Sequence, residues 1–124
     1  MQGHYHAAVW IDHRQARVIH FNTEEWDVQV IHAEHAHAHH SDEKKRPDNA
    51  YLEKVTKALA EAGAILVLGP ANEKGELIKH IEKAHPALSP RIEGVEAADH
   101  PSDGEIAAHA RRVLKSAERM KPQL

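Results

Sequence analysis

A-A-V-W-I-D-H-R-Q-A-R-V-I-H-F, residues 7–21, is two apolar runs separated by a few polar residues. Residues 7–12 have the unbroken apolar character of a central strand, and residues 16–21 form a second strand. The polar break D-H-R-Q between them, residues 12–15, is short enough to imply a hairpin. A second break, residues 22–25, leads to a third strand over residues 26–33, whose apolar content is Val28, Val30 and Ile31. Three strands with short links predict an antiparallel meander.

Beyond the meander the periodicity changes. Residues 34–49 read E-H-A-H-A-H-H-S-D-E-K-K-R-P-D-N, with almost no large apolar side chain to bury, which predicts a mobile loop. Asp48 or Asn49 can then cap a helix bearing Leu52, Val55, Leu59 and Ala60, with Gly63 as its stop. Residues 64–68, A-I-L-V-L, have the continuous apolar run of a buried parallel strand, ended by Gly69-Pro70. Asn72 can cap a second helix with Leu77, Ile78 and Ile81 on its inner face, ended by His85-Pro86 and Ser89-Pro90. Residues 91–98 are a more polar strand, expected at an edge. Ser102-x-x-Glu105 is a capping box before a final helix with Ile106, Ala110, Val113, Leu114 and Ala117 in its stripe. The order is β-β-β-α-β-α-β-α. A right-handed crossover out of the meander puts the fourth strand beside the first and the fifth outside it. The expectation is an α/β chain with a mixed five-stranded sheet of order 3-2-1-4-5, the three-layer ribonuclease H-like arrangement, as a single domain over residues 1–124.

Composition narrows the functional classes. At 124 residues the chain can bury roughly two-thirds of the surface it exposes when unfolded, enough for its own core. Aromatics are only 4% of the residues, so that core must rest on Val, Ile, Leu and Ala. The absence of cysteine removes disulfides, thiolate zinc sites and a Cys nucleophile together, and it fits a cytoplasmic location. No apolar run approaches the roughly 20 residues that span a bilayer, so no membrane role is expected. A net charge of −3 gives no global pull toward nucleic acid, and any RNA contact has to be local.

Three segments together carry a family resemblance. The opening hairpin quoted above resembles that of the central domain of eukaryotic and archaeal peptide-chain release factors and their relative Pelota. A-I-L-V-L-G-P-A-N-E-K-G-E-L is similar to that domain's buried strand, turn and following helix, and I-E-G-V-E-A-A-D-H-P-S-D-G-E-I-A to its last strand and final helix. The match runs in order from residue 7 to about residue 114. The chain looks like one of the small stand-alone bacterial proteins of this pattern that are labelled translational machinery proteins. The resemblance implies an ancestry in translation and a ribosome or structured RNA as partner. In release factors the loop corresponding to residues 35–49 carries a Gly-Gly-Gln motif that promotes ester hydrolysis in the peptidyl transferase centre. No Gly-Gly-Gln occurs here, as in Pelota, so peptide release is not carried over and no enzyme activity is expected.

That loop holds the first candidate site. Of the thirteen histidines, five fall between positions 32 and 40. His35, His37 and His39 alternate, so an extended backbone puts them on one side, with His40 adjacent. Imidazoles at this spacing can bind Zn²⁺ or Ni²⁺, but nothing in the sequence fixes the loop, and the simpler reading of the same residues is a solvated polar tract that binds metal weakly. No cofactor is required on either reading. Lys44, Lys45 and Arg46 are the candidate RNA phosphate contacts. Arg111, Arg112, Lys115, Arg119 and Lys121 add a basic stretch, which reads more simply as solvated helix surface.

A two-metal nuclease would hold clustered acids with the first on strand one. Asp12 lies there, with Glu96, Asp99 and Asp103 near the fifth strand. The fourth strand, however, ends in Leu68-Gly69-Pro70 with no acid, and Asp12 suits a turn that bonds its own backbone. Trp10 is expected in the core, and Trp26 more exposed at an edge. The two edge strands offer a route to a homodimer.

Overall fold

A computed structural model describes residues 6–34 and 48–120, with side chains as far as Lys115. Strand β1 (His6–Ile11) is buried along nearly its whole length and pairs antiparallel with β2 (Gln15–Phe21) and parallel with β4 (Ile65–Gly69). On the far side of β2 lies β3 (Trp26–His32), and on the far side of β4 lies β5 (Ile92–Ala97), giving the order β3-β2-β1-β4-β5. This is the mixed sheet expected from the meander and the right-handed crossover.

The turns form for local reasons. Oδ1 of Asp12 accepts from the backbone N–H of Arg14 at 2.8 Å and of Gln15 at 2.9 Å, closing the first hairpin. Oδ1 of Asn22 does the same for Glu24 and Glu25 in the second. Asp12 is therefore engaged as a turn residue.

Strand alternation sorts the core into two layers. Ala7, Val9 and Ile11 of β1, with Val18, Ile65 and Val67, face helices α1 (Asn49–Leu59) and α2 (Glu73–Ala84) through Leu52, Val55, Leu59, Leu77 and Ile81. Ala8, Trp10, Ile19, Phe21, Leu66 and Leu68 face the single helix α3 (Asp103–Met120) through Ile106, Ala107, Ala110 and Leu114. Trp10 is fully buried, and its indole N–H donates to the Ala98 carbonyl at 3.0 Å.

The helix ends show which cap signals act. Asp48 caps α1, its carboxylate accepting from Tyr51 N–H. Asn72 stands at the cap of α2 but bonds no N–H with its side chain; its carbonyl receives Gly75 and Glu76 instead. Ser102 and Glu105 form the expected reciprocal pair at α3, at 2.8 and 3.1 Å. Helix α1 stops at Leu59, short of Gly63; Ala62 N–H bonds Leu59 O at 3.1 Å, and Arg91 donates to the carbonyls of Ala60 and Ala62, both at 3.1 Å.

Edge strand β3 is exposed on one face. Trp26, Val28 and Val30 are 41%, 38% and 45% exposed and lie on the face that α3 covers only over the inner strands. β5, the other edge, is more polar and half-buried. Among the described residues no helix is long and apolar enough to cross a membrane.

Candidate functional site

Two groups of chemistry-bearing side chains assemble on the α1/α2 layer. The first joins Glu53 on α1 to His80 and His85 at the end of α2. His80 Nε2 lies 2.8 Å from Oε1 of Glu53, and His85 Nε2 lies 2.8 and 2.9 Å from the two carboxylate oxygens. Since a carboxylate only accepts, each ring donates its Nε2–H to Glu53. These two hydrogen bonds, His80 first and His85 second, hold the Glu53 carboxyl below its ordinary range. His80 is nearly enclosed at 13% side-chain exposure; Glu53 and His85 sit at the rim.

Local sequence fixes this convergence. Glu53 follows buried Leu52 and so stands beside the stripe that α1 presses on the sheet. His80 precedes buried Ile81 and stands in the same relation on α2. Pro86 disfavours helical geometry in the residue before it, and His85 leaves the helix at φ −139°, ψ 62°. Its N–H still bonds Ile81 O at 2.8 Å, and its carbonyl accepts from Leu88 N–H at 2.9 Å, so the turn that aims the ring is pinned at both ends. Among the described residues, Glu53, His80 and His85 are the one group of three whose donor atoms all lie close enough, within 4.8 Å, to share a metal ion.

The second group lies where β1 and β4 end. Tyr51 is buried and donates its hydroxyl to the Asp12 carbonyl at 2.9 Å, tying α1 to the first hairpin. Burial, then the charge of Asp12 and other nearby acids, pushes its hydroxyl far above the ordinary range. Glu73, in the first turn of α2, is raised to about 7, chiefly by burial and then by the negative charges of Glu76, Asp48 and Asp12. This acidic end of the sheet differs from the nuclease set considered from sequence. Glu96 is bonded to His109 at 2.7 Å and Asp103 to Arg17 at 2.8 Å, so those acids are engaged one by one rather than gathered beside Asp12.

His35, His37, His39, His40, Lys44, Lys45 and Arg46 lie outside the described residues. Their flanks are described. The segment departs at Glu34, whose carboxylate meets Lys54 Nζ at 3.3 Å, and returns at the Asp48 cap, beside the acidic end. Glu53 and the two α2 histidines were not singled out as a site by sequence reasoning. A usable signal was the His85-Pro86 pair, which marks a ring on a forced turn; the facing carboxylate depends on how α1 and α2 pack.

With this geometry in place, the chain can be set against known proteins. It has the fold of the release-factor and Pelota central domain. Thermoplasma acidophilum Pelota is similar over 95% of this chain and 36% of its own, with a TM-score of 0.64 at 13% identity. An archaeal translation termination factor, aRF1, is similar over 92% of this chain and 35% of its own, with a TM-score of 0.66 at 10% identity. S. cerevisiae Dom34, a translation termination-like factor involved in RNA quality control pathways and interacting with Hbs1, is similar over 90% and 33%, with a TM-score of 0.58 at 12% identity. This chain thus spans about a third of the length of those proteins. No family model and no curated protein matches it.

Proposed function

We propose that this chain is a non-catalytic, translation-associated module that binds the ribosome or structured RNA through its His/Lys-rich segment. The observation that carries the reading is the fold itself: the five-stranded sheet of order β3-β2-β1-β4-β5 with its three helices is similar to one domain of Pelota, aRF1 and Dom34. Lys44, Lys45 and Arg46 supply the phosphate contacts, and no cofactor is required for them. The flank at Asp48 lies beside Asp12 and Glu73, an acidic neighbourhood that repels phosphate, so the reading assigns the phosphate contacts to the cationic run instead. Without Gly-Gly-Gln it hydrolyses no peptidyl ester. A cytoplasmic location goes with this role. Co-sedimentation of the purified chain with ribosomes at rising salt tests it: association that weakens as salt rises supports the reading, and none at low salt removes it.

The exposed edge adds a partner of the chain's own kind. The N–H of Ala33 points to β2, bonding Arg14 O at 2.9 Å, so by strand alternation the backbone groups of Trp26, Val28, Val30 and His32 point outward. Trp26, Val28 and Val30 also carry exposed apolar side chains. Two copies of β3 running antiparallel about Gln29 set Val28 against Val30 in both directions and pair the whole strand.

A further inference from the structure

We propose that Glu53, His80 and His85 form a binding site for one divalent transition-metal ion of the zinc, nickel and cobalt class, which staples α1 to α2. Two imidazole nitrogens with one carboxylate are a donor set this class accepts. Magnesium and calcium prefer oxygen donors throughout. The donor atoms stand 2.8–2.9 Å from the carboxylate oxygens they meet. Around a tetrahedral ion with bonds of about 2.0–2.1 Å, neighbouring donors lie about 3.3 Å apart. Admitting the ion needs each Nε2 to move a few tenths of an ångström from the carboxylate and to give up its proton, a neutral ring by taking the Nδ1–H tautomer and a protonated ring by releasing it to water. The turn that holds His85 is bonded on both sides, and His80 is packed on a helix, so two of the three donors are already placed. Glu53 and His85 remain about a third exposed, which leaves water access for the fourth position. None of these three residues belongs to the His35–His40 tract, and the proposal does not depend on the ribosome reading.

The two histidine groups are separated by titrating the full-length chain with His35, His37, His39 and His40 all changed to Ala. Cobalt absorption in the visible region reports ligation directly, and zinc is then tested by thermal melting. One equivalent of Co²⁺ bound at micromolar concentrations is expected. Glu53→Gln, near-isosteric, and His85→Asn, at the partly exposed rim, should each weaken it at least ten-fold while leaving the far-ultraviolet circular dichroism unchanged. Zinc at a hundred times its dissociation constant should raise the melting midpoint by about 5 °C or more in the loop variant, and by much less after Glu53→Gln. Should either substitution unfold the chain, the double variant Glu53→Asp with His85→Gln replaces it, and the same ten-fold loss is required. Binding no tighter than millimolar in the loop variant, or binding indifferent to these changes, would overturn the site.

Discussion

Arg17 on β2 meets Asp103 in the first turn of α3 across 2.8 Å, and its guanidinium lies 4.8 Å from the centre of the Trp10 ring it covers. A second nitrogen donates to the Pro101 carbonyl at 2.9 Å. One side chain thus ties the sheet, the buried indole and the entry to α3 together. Arg17 is only 16% exposed, so its bonds are little screened. Arg17→Ala should lower folding stability by about 2–3 kcal/mol, since it removes charge-assisted bonds and the cation–ring contact. Urea unfolding followed by tryptophan fluorescence measures this, and a loss under about 0.5 kcal/mol would show the contact to be dispensable.

Glu73 gives the fold a pH dependence whose sign can be worked out. Its carboxyl is raised to about 7, against 4.5 for an unperturbed Glu, so the folded state holds a proton that the unfolded chain has released between those values. Stability from this group is fully present below about pH 4.5 and is lost as pH rises to about 7. Solvent screening at this half-buried position limits the loss to roughly 1–2 kcal/mol. Glu73→Gln should therefore leave stability near pH 5 almost unchanged and raise it at pH 8. Denaturation at the two pH values checks the difference.

Two glycines should respond in opposite directions to alanine. A Cβ at Gly69 would overlap the carbonyl oxygen of Ile11 on the neighbouring strand, and Gly69→Ala should cost about 1–3 kcal/mol. A Cβ at Gly75, in the first turn of α2, meets nothing within 4 Å. Gly75→Ala should stabilise by about 0.5–1 kcal/mol through helix propensity alone. Thermal melts of the two variants beside the parent chain decide both.

Self-association through β3 should be sensitive to a single charge. Val30 is 45% exposed, and its backbone N–H and C=O point away from β2 along the open edge. Val30→Lys places two like charges near the centre of the pairing and should abolish any dimer without unfolding the chain. Sedimentation velocity over a range of concentrations is the readout. A parent chain that stays monomeric throughout would dismiss the strand pairing.

The sheet was legible in the sequence because its signals are local. Residues 7–11 form an unbroken apolar run suited to a central strand, and Asp12 and Asn22 bond their own turns. The Ser102 and Glu105 pair reads directly from its spacing. Signals that depend on tertiary packing were not legible. Gly63 looked like the stop of α1, but the helix ends at Leu59, and Arg91, from beyond the second helix, bonds the carbonyls of Ala60 and Ala62 just past that end. No sequence signal marks Glu53, and only the packing of α1 on α2 sets it against His80 and His85. Glu73 was unremarked because its environment is made by Asp12 and Asp48, far apart in the chain.

The central claim is that residues 35–47 form the surface facing ribosomal RNA. The chain has no cysteine, so one introduced at Ser41 carries a photo-crosslinker without background labelling. A control cysteine at Glu61 occupies an exposed turn just past the far end of α1. Irradiated with ribosomes at low salt, the Ser41→Cys protein should form adducts with ribosomal RNA, and the Glu61→Cys protein should form few or none. Equal yields from the two positions, or ribosome binding with no RNA adduct from position 41, would contradict the account.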